Sequence, residues 1–199
     1  MSTGTDGTGT ENEVPVDPNA VSITVNGRAV TARKGEMIIA ATDREGEYVP
    51  RFCYHPRMSP VGMCRQCMVE VEGPRGPMMV VSCMTPVAEG QVVRTDTEQV
   101  KRAQEGMIEL LLANHPLDCP VCDRGGECEL QEMIFDWGDV EERFRERKNA
   151  EPEKFLSPIV ANDPQRCIVC KRCTRVCDEW MGEDAIEAGN RGVNTVIGT

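Results

Sequence analysis

The sequence predicts an α+β protein that opens with a β-grasp unit, and three observations carry that expectation. Residues 21–30 (VSITVNGRAV) place short β-branched runs on either side of Asn26-Gly27, a strong hairpin signal. A helical period follows over 35–46, and strand-like runs then recur between 67 and 94, giving the order hairpin, helix, strands. Beyond them the cysteines continue into a helical stretch and a short final segment, so the 199 residues read as small units in series.

Composition narrows the function classes. Hydrophobic residues make up 40% of the chain and aromatics only 4%, so several small cores need cross-links of another kind, which eleven cysteines could supply. A net charge of -11 and a pI near 4.8 argue against nucleic acid and anionic membrane surfaces as partners and favour a protein partner. No window approaches eighteen consecutive apolar residues, so no membrane span is expected. Residues 1–20 read as a disordered tail without the basic and apolar regions of a secretory signal. In a cytoplasmic protein, an odd number of cysteines points to metal ligation ahead of disulfides.

The first unit spans 21–98. In GEMIIAATDREG (35–46) Met37, Ile38 and Ala41 share a helical face, and 67–72, 78–83 and 91–94 supply strands. Inside it lie Cys53, Cys64, Cys67 and Cys83. Three thiols on one irregular loop, with the fourth at the end of a later strand, follow the logic of a plant-type [2Fe-2S] site, although ten residues separate the first two cysteines and fifteen the last two. Gly62, Arg65 and Gln66, between the ligands, would bring backbone N–H groups close to sulfur. His55 raises a Rieske alternative, but no second histidine stands near Cys67, so a structural role is expected for it.

The second unit spans 99–150. A helix is expected over 95–114, capped at Thr95 or Asp96, with Val100, Ala103, Met107, Leu110 and Leu111 on one face. His115-Pro116 ends it. His115, Cys119, Cys122 and Cys128 then offer one imidazole and three thiolates from a compact loop, a ligand set whose spacing alone suits zinc or an iron–sulfur cluster. Gly125 and Gly126 are expected to allow positive φ and close backbone approach. A short helix over 127–137 and a charged, solvated run over 138–150 complete the unit.

The third unit, 151–199, begins with a proline-punctuated linker to Pro164. Cys167, Cys170, Cys173 and Cys177 form a C-x2-C-x2-C-x3-C run, in which the first three cysteines hold one [4Fe-4S] cluster and the fourth usually serves a second. No second run is present, so either Cys177 completes the site or the fourth ligand lies elsewhere. Residues 189–199 read as the start of a β-element that ends abruptly, the expectation for a fragment or a split subunit. With His115, the eleven cysteines make three sets of four with none left over. The chain has no G-x-G-x-x-G or P-loop to hold a nicotinamide, flavin or nucleotide, so no substrate site and no catalytic side chain is expected in it.

The string HPLDCPVCDRGGECELQ (115–131) resembles, almost letter for letter, the loop of the His-ligated [4Fe-4S] cluster in the large iron–sulfur subunit of respiratory complex I. The same element occurs in iron-iron hydrogenases and in NAD-linked hydrogenases and formate dehydrogenases. GMCRQCMVEVEG (62–73) resembles the N-terminal [2Fe-2S] domain of that subunit, and the resemblance runs over about 21–199. It implies one [2Fe-2S] cluster on Cys53, Cys64, Cys67 and Cys83, one [4Fe-4S] cluster on His115, Cys119, Cys122 and Cys128, and a second on Cys167, Cys170 and Cys173. In the resembled family the fourth ligand of the last comes from farther downstream, which leaves that cluster incomplete here unless Cys177 serves.

The resemblance further implies a single-electron relay in an NADH:quinone oxidoreductase. The chain would pass electrons from a flavin-containing, NADH-oxidising subunit towards quinone, beside other iron–sulfur subunits on the cytoplasmic face of the inner membrane. Cys177 is often present in the relatives from NAD-linked hydrogenases and formate dehydrogenases, so a diaphorase-side electron-transfer subunit is the alternative. A zinc-binding scaffold is a third reading, which explains neither the uneven spacing from Cys53 to Cys83 nor the histidine loop.

Overall fold

The computed structural model describes residues 18–138 and 143–198. Strands β1 (Ala20–Val25) and β2 (Arg28–Arg33) pair antiparallel about Asn26 and Gly27, whose φ of 48° and 79° make the turn that matches strand twist. Ala20 already pairs with Arg33, so the expected tail is shorter at its inner end, and its residues 1–17 lie outside the described residues. Helix α1 (Ile38–Arg44) follows, then β3 (Met68–Gly73), β4 (Gly76–Val81) and β5 (Val92–Arg94). The five strands form one sheet in the order β2-β1-β5-β3-β4, with β1 and β5 parallel. Val21, Ile23, Val25, Val30, Val69 and Val93 send their side chains to the face that Ile38, Ile39 and Ala41 of α1 cover. Each such side chain contributes about 1.5–3 kcal/mol on burial. Met37 shares this core but stands at the N-cap, one residue ahead of the helix.

Helix α2 (Glu98–Leu112) starts one or two residues later than expected. Its cap is Thr97, whose hydroxyl accepts from Val100 N at 3.3 Å. Thr95 is used otherwise: its amide donates to Asn26 and its hydroxyl donates to Glu47, tying the hairpin turn to the end of β5. The buried face is Val100, Gln104 and Ile108, while Leu110 is 67% exposed, so the expected stripe is rotated. The cause is a polar contact. Gln104 Nε2 donates to Met68 O at 3.1 Å and the backbone Gln104 O accepts from Gln66 Nε2 at 3.2 Å, so an amide pair joins α2 to the start of β3.

Helix α3 (Glu129–Trp137) packs on α2. The charged run after it is more than a solvated face, although its residues 139–142 lie outside the described residues. Arg143 bonds Glu109 of α2, and Lys148 Nζ donates to the carbonyls of Leu112 and Ala113 at 2.7 and 3.3 Å. Lys148 thereby caps a helix whose own last turn carries no basic residue. The expected linker contains a hairpin, β6 (Lys154–Ser157) with β7 (Val160–Asn162). Ser157 Oγ accepts from Ile159 N and Val160 N and so closes its turn. The chain ends in α4 (Arg172–Val176), a π-helical turn over Cys177–Met181 and an antiparallel pair of β8 (Glu187–Gly189) with β9 (Val196–Gly198). No described helix is long and apolar enough to cross a membrane.

Candidate metal centres

The first ligand set lies where the segment after α1 re-enters the core. Cys53, Cys67 and Cys83 are buried and Cys64 is half-buried. Cys53 N donates to Cys64 Sγ at 3.5 Å and Cys64 N to Cys53 Sγ at 3.4 Å. Amides of Met63 and Gly62 serve the sulfurs of Cys53 and Cys83, and those of Phe52 and Gln66 serve Cys64. Ser82 gives both its amide and its hydroxyl to Cys67 O at 2.9 Å, which holds the neighbouring Cys83 beside Cys67. The four thiols therefore meet as two hydrogen-bonded pairs. A bond from Cys53 lowers the Cys64 thiol to about 5, and a bond from Cys83 lowers Cys67 to about 7. The donating partner of each pair is raised by the same bond.

Two backbone features shape this loop. Gly62 has φ +60°, and a Cβ there would come within 2.7 Å of Met84 Cγ, so the loop packs on the residue after Cys83 only as glycine. Arg65 is left-handed too, at φ 59°, and exposed, while its neighbour Gln66 is fully buried. The anchor of the loop is Arg51, which the sequence alone did not mark. Its guanidinium pairs with both oxygens of Asp43 in α1, donates to Val49 O at 2.8 Å and lies 4.6 Å from the Tyr48 ring centroid. His55 accepts from Arg57 N at 3.2 Å, a local turn contact of the structural kind expected.

The second set is brought together around one cavity. His115, Cys119, Cys122 and Cys128 all line it, with Leu130 and Ile134 of α3 as its apolar wall. A 3-10 turn over Cys119–Val121 starts with Pro120 near its head, and Cys128 stands at the N-terminus of α3. The paired glycines divide the work. A Cβ on Gly125 would fall 2.7 Å from Cys119 O, whereas Gly126 meets nothing but needs φ +85°. Gln131 closes the loop by accepting from Gly126 N at 3.0 Å. Burial, reinforced by the Arg166 cation, lowers the pKa of His115 and keeps its imidazole in the neutral form that ligates.

The third set is more open. Cys167 and Cys173 are exposed, Cys170 is half-buried and Cys177 is buried in the π-helical turn. Val169 and Lys171, which flank Cys170, have φ of 54° and 55°, and Val169 N donates to Cys167 Sγ at 3.4 Å. A β-branched residue held left-handed is strained by about 1–3 kcal/mol, the mark of a loop shaped for an anion-binding nest of amides. Burial raises the Cys167 thiol, and the charges of Cys170 and Cys173 act in the same direction.

The three sets converge. Phe52, Ile108, Leu130 and Met133 form a second core, against which Cys64, Cys128 and Cys170, one cysteine from each set, are packed. Soft donors, amides aimed at sulfur and glycine-permitted backbone approach fit thiolate-ligated iron–sulfur clusters. Among the described residues no group of three or more His, Cys, Asp or Glu side chains is already gathered about one point for a metal ion.

Comparisons with known proteins agree with this chemistry. Three family models match in chain order: the 2Fe-2S iron-sulfur cluster binding domain over residues 18–98, the NADH-ubiquinone oxidoreductase-G iron-sulfur binding region over 104–143, and the ferredoxin-like domain of NADH-quinone oxidoreductase subunit 3 over 157–199. They indicate one 2Fe-2S and two 4Fe-4S sites in an α+β chain. The mitochondrial NADH-ubiquinone oxidoreductase 78 kDa subunit of Candida albicans is 45% identical over 90% of this chain and 25% of its own length. An NADH-quinone oxidoreductase subunit of Rickettsia bellii is 41% identical over 86% of this chain and 25% of its own length. The chain thus spans about a quarter of the curated relatives it matches. Among solved structures, the NAD+-reducing [NiFe]-hydrogenase in the H2-reduced state superposes with a TM-score of 0.80 at 28% identity, over 89% of this chain and 74% of that one.

Proposed function

The chain belongs to the family of the large iron–sulfur subunit of NADH-quinone oxidoreductase, and on that premise we propose that it is a single-electron relay of such a complex. In this reading electrons come from a flavin-containing, NADH-oxidising subunit and leave towards quinone through other iron–sulfur subunits, on the cytoplasmic face of the inner membrane. The observation that carries it is the shared core: Cys64, Cys128 and Cys170, one cysteine of each ligand set, pack on the same four buried side chains. Electron tunnelling falls steeply with distance, and a rigid apolar spacer sets that distance.

The residues divide the work by unit. Cys53, Cys64, Cys67 and Cys83 in 21–98 would hold the [2Fe-2S] cluster, and His115, Cys119, Cys122 and Cys128 in 99–150 a [4Fe-4S] cluster. Cys167, Cys170 and Cys173 in 151–199 would hold a second [4Fe-4S] cluster, for which Cys177 is the fourth candidate. When bound, such clusters accept and release one electron at a time. The protein supplies thiolates, keeps His115 neutral, directs amides at the sulfurs and excludes water from the Phe52 core.

Cys177 and the hydrogenase likeness favour a second reading, a diaphorase-side subunit of an NAD-linked hydrogenase or formate dehydrogenase. The identity of the catalytic subunit that co-purifies with the chain separates the two. For both, the test is iron and acid-labile sulfide on anaerobically purified protein, with EPR after dithionite reduction. About ten of each per chain fits one [2Fe-2S] and two [4Fe-4S] clusters. Zinc without labile sulfide would overturn the relay.

A further inference from the structure

Arg172 lies between Cys170 and Cys173 of the third ligand set. Its Nη1 bonds both oxygens of Glu129, at 3.0 and 2.7 Å, and Glu129 directly follows Cys128 of the second set. Its Nη2 donates to Tyr54 O at 3.2 Å, and Tyr54 directly follows Cys53 of the first set. One guanidinium therefore sits within a residue of a ligand from every set. The remaining donor, Nε, is buried and has no acceptor among the described residues. An unpaired buried N–H is costly, and sulfur of a cluster seated at the Cys170–Cys173 turn would satisfy it.

The neighbouring turn strengthens the same clasp. Arg175 donates to Cys53 O and, at 2.8 Å, to Ser59 O, Trp180 Nε1 donates to Arg57 O at 2.6 Å, and Glu179 accepts from Ser59 N at 2.7 Å. These contacts hold the loop after Cys53 against α4 and the π-helical turn. Of these side chains, Arg172 alone reaches the second set as well.

Resting on the relay reading above, we infer that Arg172 is a positioning residue that fixes the three ligand sets relative to one another and holds a positive charge and an N–H donor at the third cluster. A cation and an N–H donor both stabilise the reduced, more negative form of a cluster, so they raise its reduction potential. A planar fork with separate donors can join two carbonyl or carboxylate partners at once, which a lysine ammonium on a flexible stem does less rigidly.

The test uses the full chain with its clusters in place and compares wild type with Arg172→Gln, Arg172→Lys and Glu129→Gln. Redox titration followed by EPR reads the potentials, magnetic coupling between reduced clusters reads their separation, and hydrogen exchange reads the segment 53–59. Arg172→Gln is expected to lower the potential of the third cluster, weaken the coupling and raise exchange over 53–59. Arg172→Lys should restore the potential more than the coupling. Glu129→Gln leaves the cysteine turn untouched and should weaken coupling to the His115 cluster alone. If Arg172→Gln and Glu129→Gln both keep wild-type potentials and coupling with clusters intact, the inference is overturned. A wild-type chain without clusters would instead overturn the relay reading itself.

Discussion

Arg166 grips both carboxylate oxygens of Asp118, at 2.8 and 2.9 Å, across 48 residues of sequence. The same guanidinium donates through Nε to Asp163 at 2.7 Å. The histidine loop is thus stapled to the turn that leads into Cys167. Asp118→Asn keeps the side-chain shape and removes the charge that makes the two-bond pairing strong. The expected outcome is faster loss of iron from the third site when the variant is challenged with a chelator, with the gap between the two proteins narrowing at high salt, which weakens the pair in wild type. Equal retention by both proteins would reduce the contact to an ordinary exposed ion pair.

Gly125 and Gly126 separate two costs that are usually confounded. Gly125→Ala puts a methyl group 2.7 Å from Cys119 O, against backbone that cannot yield without moving a ligand. The variant should lose about 1–3 kcal/mol and the His115 cluster with it. Gly126→Ala meets no atom, but its φ of +85° costs about 1–2 kcal/mol, so it should be less stable yet retain the cluster. Iron content beside thermal unfolding checks the pair. Retained iron in Gly125→Ala would show that the loop relaxes.

The cysteine spacings and the chain order of hairpin, helix and strands in the first unit were legible in the sequence because both signals are local. Cys119 to Cys128 is a spacing, and Asn26-Gly27 between β-branched runs is a turn with a two-residue period around it. The buried face of α2 was misplaced because an apolar period cannot anticipate Gln104, whose amide is satisfied by Met68 O and whose carbonyl is satisfied by Gln66 Nε2, 36 and 38 residues away. Arg51, Arg166 and Arg172 escaped notice for the same reason. A single arginine carries no periodicity, and its partner is fixed by tertiary structure, 118 residues distant for Arg172 and Tyr54. The β6–β7 hairpin was hidden by Pro158, which reads as an interruption and in fact stands in the turn.

Phe52 precedes Cys53 and is only 1% exposed, in the core on which Cys64, Cys128 and Cys170 also pack. Truncation to alanine should cost about 3–5 kcal/mol, and Phe52→Leu, which leaves a smaller void, should cost less. Because the core is shared, Phe52→Ala should perturb the EPR signals of all three clusters, although Phe52 is adjacent to one ligand only. A disturbance confined to the [2Fe-2S] signal would mean that the core does not couple the units.

Cys177 is buried in the π-helical turn, whereas Cys167 and Cys173 are exposed. Cys177→Ser should lower iron by about four per chain, since Cys177 is the fourth candidate ligand of the third cluster. Iron at the wild-type value would remove Cys177 from that ligand set.

His115→Cys tests the assignment most directly because it keeps a ligand while changing its charge. The imidazole is neutral, and burial together with the Arg166 cation holds it so. A thiolate in its place adds one negative charge to the site, which favours the oxidised cluster over the reduced one. The cluster should remain assembled and its midpoint potential should fall, with the [2Fe-2S] potential shifting less because its ligands occupy a separate loop. His115→Ala supplies the contrast: with no fourth ligand from this position, the cluster should become labile to chelator. Redox titration of the two variants beside wild type distinguishes ligation from mere proximity. An unchanged or raised potential in His115→Cys would remove His115 from the ligand set.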